Sequence, residues 1–499
     1  MKRCILPIWI LLLISGLAFA QVPDLSGTGQ PTSGDNAKNS LLTNLATVNL
    51  FVDGALGADT NSCTASGATA CLTIQAAINK VPKRMQQPVT ITVAAGNYAG
   101  AYIYNFLQEG NATAANGALF QIIGTMTAAT LASGINTGTL TSFAGGSQQV
   151  FDVITVAGGG WTVNNLRGFL FVATGGTGSG QQGIIVSNTA TTITVARVHQ
   201  PNLDNTTTFA IRDWGTIINA AVALPAGANT GSIANAGGLL VAGSSSTSRN
   251  DGNFSIQQIK FSNAISVGIR TDAQTSIRYC NFNTAGTGAL GAIRSFMSPR
   301  LEIDDNYFLI PASGRGVAIS NSNQSPMYVT SSRNVYDSGA IGLDLGSVLY
   351  TSTADFWRNQ STAALRLENI FQGTIQENRI DCNSVGGSNG ILWQGNTTNK
   401  GTGLLTLLSI DVSNCVTAFS ITGPALFVTT SGSGGVTGSN NTAGINVAEG
   451  GRFITNTGYA LVATTDITIE GLNYTLVQLR AQTPKSILDT ISGARVYEQ

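Results

Sequence analysis

The chain has 499 residues but only 25 basic and 25 acidic side chains, so any charged chemistry rests on few positions. Arg270 follows Ile269 and Arg294 follows Ile293, while Asp344, Arg366, Glu368 and Gln394 stand between or just after other apolar pairs. In a strand, the neighbours of inward residues point outward. If the apolar pairs occupy successive rungs of one sheet, these polar residues form one outward face. Arg270 and Arg294 then stack as like charges, which destabilises unless something neutralises them. Asp272 is one neutralising group and an anionic sugar is another. Asp344 and Arg366 stack as opposite charges, either a structural pair or part of a site. Tyr307, Phe356 and Arg379 precede Phe308, Trp357 and Ile380. Outward aromatics in such a column either pack on the wall or stack on sugar rings.

Other chemistries lack their residues. The single histidine, His199, lies in the polar segment Val198–Asn202 and reads as part of a surface loop. His-rich metal sites are therefore excluded, and a Ser–His–Asp arrangement would depend on this one residue. Asp304–Asp305 is the only adjacent acidic pair, and no acidic cluster that would support calcium is visible, so no cofactor is expected. No catalytic residue is assigned. The glycines of Gly175–Gln181 read as a tight hairpin, because no helix follows to hold a phosphate.

The elements that must position these residues repeat. Ile269, Ile293, Ile319, Leu345, Leu367, Trp393, Ile421 and Val447 recur at intervals of 22 to 28 residues. A second series runs Phe261, Phe282, Phe308, Tyr336, Trp357, Ile380 and Val412. Units of about 25 residues, each holding two or three short strands, bury their apolar residues only by stacking. The spacing predicts an all-β solenoid, with Val267, Val317, Leu343, Leu365, Ile391, Phe419 and Ile445 also inward.

Before the repeat, Thr73 is an N-cap and Ile74, Ala77, Ile78 and Val81 form one apolar helical face, stopped by Pro82. Residues 125–240 break the period and read as an inserted β module. In the tail, Asp466–Gly471 reads as the last strand and Tyr474–Arg480 as a short capping helix. Residues 1–20 carry a basic start, an apolar run and Ala18-Phe19-Ala20, the pattern of a cleaved signal peptide. The expected organisation is 1–20 signal, 21–47 flexible lead-in, 48–124 cap and first coils, 125–240 insert, 241–464 solenoid and 465–499 C-terminal cap.

Export permits disulfides. Cys63 and Cys71 flank a short loop and are expected to bond, Cys382 and Cys415 lie at near-equivalent places in successive coils and are candidates for a second bridge, and Cys280 is expected as an inward free thiol. Without Lys2 and Arg3 the chain holds 23 basic and 25 acidic residues, a balance that gives no reason to expect nucleic acid. No segment beyond the signal is apolar enough for membrane insertion.

Phe51-Val52-Asp53-Gly54, Thr73–Ile78, Val93–Tyr98 and the Asn/Asp run two before four members of the second series (Asn306, Asn334, Asp355 and Asn378) resemble secreted parallel β-helix proteins of the pectate-lyase-like kind. The G-T-G-x-G-Q turn resembles a small module found in phage and bacterial β-helix proteins. The resemblance implies a right-handed parallel β-helix, a capping helix over its first coil, and a polysaccharide ligand on an outward face. It points to the wall of Arg270, Arg294, Asp344, Arg366 and Glu368. Polygalacturonase-type enzymes of this fold carry a G-H-G, which is absent here. The expected function is an exported protein, extracellular or periplasmic, that binds an extended acidic polysaccharide, with cleavage by a lyase or hydrolase mechanism left open. The alternative is a non-catalytic surface or spike-like adhesion protein.

Overall fold

A computed structural model describes residues 43–498 except for internal segments, the longest being 109–119, 221–237 and 243–252. The expected signal, most of the lead-in, and His199 lie outside the described residues. The chain winds as a right-handed parallel β-helix of three walls. One coil shows the plan. Arg300–Asp304 lies on the first wall, Tyr307–Leu309 on the second and Arg315–Ser320 on the third. The first wall is a 14-stranded sheet. The second and third merge into a 19-stranded sheet, because strands such as Val335–Gly346 and Phe356–Glu368 run round the corner unbroken.

The corner between the first and second walls is made the same way on every rung. Gln258, Tyr279, Asp305, Arg333, Ala354, Glu377 and Ser409 all have left-handed backbone, with φ between 51° and 58°. Such a turn points the next backbone N–H away from the ladder, where it needs another acceptor. At four of these corners the side chain at the equivalent place in the next coil supplies it. Asn306 Oδ1 accepts from Cys280 N–H at 2.8 Å, Asn334 from Asn306 at 2.9 Å, Asp355 from Asn334 at 2.7 Å and Asn378 from Asp355 at 2.9 Å. This is the polar ladder that the Asn/Asp run predicts.

Beside it runs an aromatic ladder. Phe261, Phe282, Phe308, Tyr336 and Trp357 stack with ring centroids 4.6–5.5 Å apart and planes within 7°. That separation matches the strand spacing of about 4.8 Å, so each ring covers the next as the coils stack. The apolar pairs of the third wall, from Val267/Ile269 to Ile445/Val447, are all buried on one parallel sheet.

The helix Ile74–Lys80 packs Ile74, Ala77 and Ile78 onto the first coils. Thr73 caps it, and Asp59 accepts from the Leu72 and Thr73 amides. Cys63–Cys71 closes the preceding loop, Cys382–Cys415 joins two coils, and Cys280 is free and buried.

The insert is an antiparallel module running from Met126–Ala128 to Thr208–Trp214, with its own core around Trp161, Leu166, Phe171, Ile193 and Phe209. It leaves at the corner after Phe120–Ile123, and the coil resumes at Thr216–Ala220, which pairs with Gly96–Ala99. Leu239–Ala242 likewise pairs with Ala101–Tyr104, so the expected boundary at 240 takes in two strands of the β-helix itself. The tail also differs from expectation. Leu476–Leu479 is a strand paired in parallel with Arg452–Ile454, not a capping helix, and the coils continue to Arg495–Glu498 beyond Asp466–Glu470. A four-residue segment cannot sustain a helix without packing, whereas the strand edge before it offers immediate pairing. Among the described residues no helix is long and apolar enough to cross a membrane.

Candidate functional site

The outward face of the third wall is set by register. Gly268, Arg294, Ala318, Asp344, Arg366 and Leu392 form one column. Arg270 and Glu368 belong to the neighbouring column, where Arg270 pairs with Phe296 and Glu368 with Gln394. Arg270 and Arg294 therefore do not stack, contrary to the expectation from equating Ile269 with Ile293. Ile293 is the rung-mate of Val267, and Ser295 is the rung-mate of Ile269. Ser295 is fully buried in a place where other coils put an aliphatic residue, so apolar spacing alone misaligns this rung by two residues. The Arg270 side chain lies outside the described residues.

Asp344 and Arg366 do stack. Arg366 grips Asp344 through two parallel bonds, Nε–Oδ1 at 2.8 Å and Nη2–Oδ2 at 2.7 Å, and Arg315 Nη1 also reaches Asp344 Oδ2. Burial works against the Arg366 charge, but the hydrogen bonds and charge of Asp344 outweigh it and hold its pKa above the ordinary value. Glu368 is a looser neighbour, 3.6 Å from Arg366 Nε. One buried carboxylate thus serves two guanidinium groups.

Arg294 stands apart. Among the described residues no acid pairs with it. Partial burial and the charge of Arg315 both lower its pKa. Its column neighbours, Gly268 and Ala318, have no long side chains.

The second wall corrects another expectation. Asn281, Tyr307, Val335, Phe356 and Arg379 form its outward column. Tyr307 and Phe356 are buried under the insert, packed with Leu170, Ile184, Val186 and Trp214. Phe151 meets Phe356 edge-on at 4.8 Å, and Arg379 lies over Phe151. Tyr307 donates to Asp337 Oδ2 at 2.9 Å, and Arg358 holds the same carboxylate through two bonds. Trp214 Nε1 donates to the Tyr279 carbonyl. These aromatics anchor the insert and offer no platform to a sugar ring.

The first wall carries a charged group around Asp304, which the sequence reading marks only by its pair with Asp305. Arg278 reaches both Glu302 and Asp304 at 3.1 Å, and Arg300 reaches Glu302 at 2.8 Å. Burial pushes the Asp304 carboxyl up to about 6 despite Arg278. Asp305, adjacent in sequence, turns the corner and is held by Arg333 at 2.7 and 2.8 Å. The alternation in Arg300-Leu301-Glu302-Ile303-Asp304 is the signal that could have placed these groups. Among the described residues no group of three or more His, Cys, Asp or Glu side chains is arranged to hold a metal.

No family model matches this chain, and no curated protein matches it. Among solved structures it is similar to the Gp54 tailspike of Acinetobacter baumannii bacteriophage AP22 in complex with A. baumannii capsular saccharide, at 9% identity and a TM-score of 0.23, over 83% of this chain and 71% of that one. It is also similar to the tailspike gp61 of Pseudomonas phage phi297, at 12% identity and a TM-score of 0.22, over 87% and 78% of the two chains. The tailspike gp49 of Pseudomonas phage LKA1 aligns at 9% identity and a TM-score of 0.19, over 83% and 74%.

Proposed function

We propose that this chain is an exported β-helix protein that binds an extended acidic polysaccharide along its third wall. The observation that carries the reading is Arg294, a guanidinium without an acidic partner among the described residues, pressed by Arg315. An uncompensated, partly desolvated cation destabilises the free protein and gains most from an arriving anion. Arg315 and Arg366 are balanced by Asp344 and Glu368, so the net positive charge of this face rests on Arg294. A uronate carboxylate suits the fork geometry of an arginine. The two disulfides and the expected signal segment support export.

The test is binding of the purified protein to polygalacturonate and alginate across a salt series. Wild-type affinity should fall as salt rises. Arg294→Ala should weaken binding by about tenfold and flatten the salt dependence. Unchanged affinity in the folded variant would move the site off this wall. Absence of wild-type binding to any polyanion would remove the reading altogether.

A further inference from the structure

The outer face of the first wall carries a second pattern, remote from Arg294. Thr330, Thr351, Thr374 and Thr406 pair rung upon rung in four successive strands, and Thr429 continues the register. Buried neighbours alternate with them, and all four are half-buried or exposed. Each of these four strands turns three residues outward, and none is charged. Charge bounds the face: the rung before it carries Arg300, Glu302 and Asp304, and Arg452 follows the strand of Thr429. Large apolar groups are also exposed here, Tyr328 at 57% and Leu404 at 38%.

Strand propensity explains a threonine on any one rung, and cross-strand threonine pairs add a little stability. Neither explains why charge disappears from the flanking columns over the same rungs. A threonine offers a hydroxyl that both donates and accepts, with a methyl beside it and a stiff χ1. Here the pair repeats every strand, about 4.8 Å, on a rigid wall. A matching ligand must be uncharged, must hydrogen-bond in both directions and must repeat at that short period. A sugar chain would favour a platform of stacked rings; the threonine column contains none, and Tyr328 stands alone beside its first rung. Crystalline water meets all three requirements.

We propose that this face binds ice, the threonine hydroxyls joining the lattice and the methyls seating between its waters. The site is independent of the polysaccharide wall. The test measures ice-recrystallisation inhibition and thermal hysteresis of the full mature chain. Wild type should inhibit recrystallisation. Thr351→Tyr with Thr374→Tyr should need roughly tenfold more protein for the same inhibition, with circular dichroism and melting temperature unchanged. Arg294→Ala should inhibit as wild type does. Thr351→Val with Thr374→Val keeps shape and fold, and should retain at least part of the inhibition if the tyrosine pair fails to fold. Three results would overturn the proposal: no effect of wild type on ice, full inhibition by the folded tyrosine variant, or wild-type binding to insoluble cellulose that the tyrosine variant loses.

Discussion

Asp355 is the odd member of the polar ladder, an acid where its neighbours are Asn334 and Asn378. It is fully buried, accepts from Asn334 and Ser352, and burial pushes its carboxyl up to about 6 despite those bonds. A folded pKa above the unfolded value near 3.8 gives stability that is full below about pH 3.8 and is lost as pH rises through about 6. Asp355→Asn restores the amide. It should stabilise the protein at pH 8 by at most about 3 kcal/mol and do little at pH 4, as read by denaturant unfolding at both pH values. Cys280 occupies the same column one coil before Asn306, and its Sγ sits 3.7 Å from the Ile256 carbonyl. Burial pushes its thiol up to about 12, so a thiol reagent should leave it unmodified in the native protein and label it after unfolding without reduction. At this scale the sequence was readable wherever the residue type is dictated by the backbone. Four left-handed corners take an inward acceptor from the next coil, hence the Asn/Asp run. Arg294 was readable as a cation but not in its column, because buried Ser295 carries no apolar mark.

The elements divide into those that stack and the one that docks. The aromatic ladder is cumulative: removing a ring leaves a void between two others. Phe308→Ala should destabilise by about 3–5 kcal/mol, with the denaturant midpoint as the readout. The insert instead closes an apolar patch on the second wall. Replacing 126–214 by a short loop would expose Tyr307, Val335 and Phe356 together, and the shortened protein should associate in size-exclusion chromatography. Polar substitution of Tyr307 and Phe356 in that deletion should reverse this added association. The existence of the insert was legible from the broken period and its glycine turn. Its resting place was not, because a hydrophobic underside such as Leu170, Ile184 and Val186 looks like any strand interior until the surface it meets is known. The tail shows the reverse: the short, mostly apolar run Leu476–Leu479 fits helix or strand, and only the waiting sheet edge decides.

For the whole molecule, stability is close to a sum of coils and the interfaces between them. A crosslink between coils therefore acts locally. Replacing Cys382 and Cys415 by serine should lower stability by about 2–4 kcal/mol and loosen the coils around it first, as amide exchange would report. The solenoid architecture was legible because the period survives irregular loops, and the rung alignment was legible wherever both inward residues of a pair are large. The docked insert has a consequence in time as well as space. It leaves the chain at Thr125, yet the surface it seals is built by Tyr279, Tyr307, Val335, Phe356 and Arg379, all synthesised after it. Its underside must wait, uncovered, until several later coils exist. Docking is then the step that reports their completion, a proofreading event for the growing rod. Pulse-labelled hydrogen exchange during refolding should find Ile184 and Val186 protected only after Phe308 and Tyr336, and earlier protection would show that the module attaches by another route.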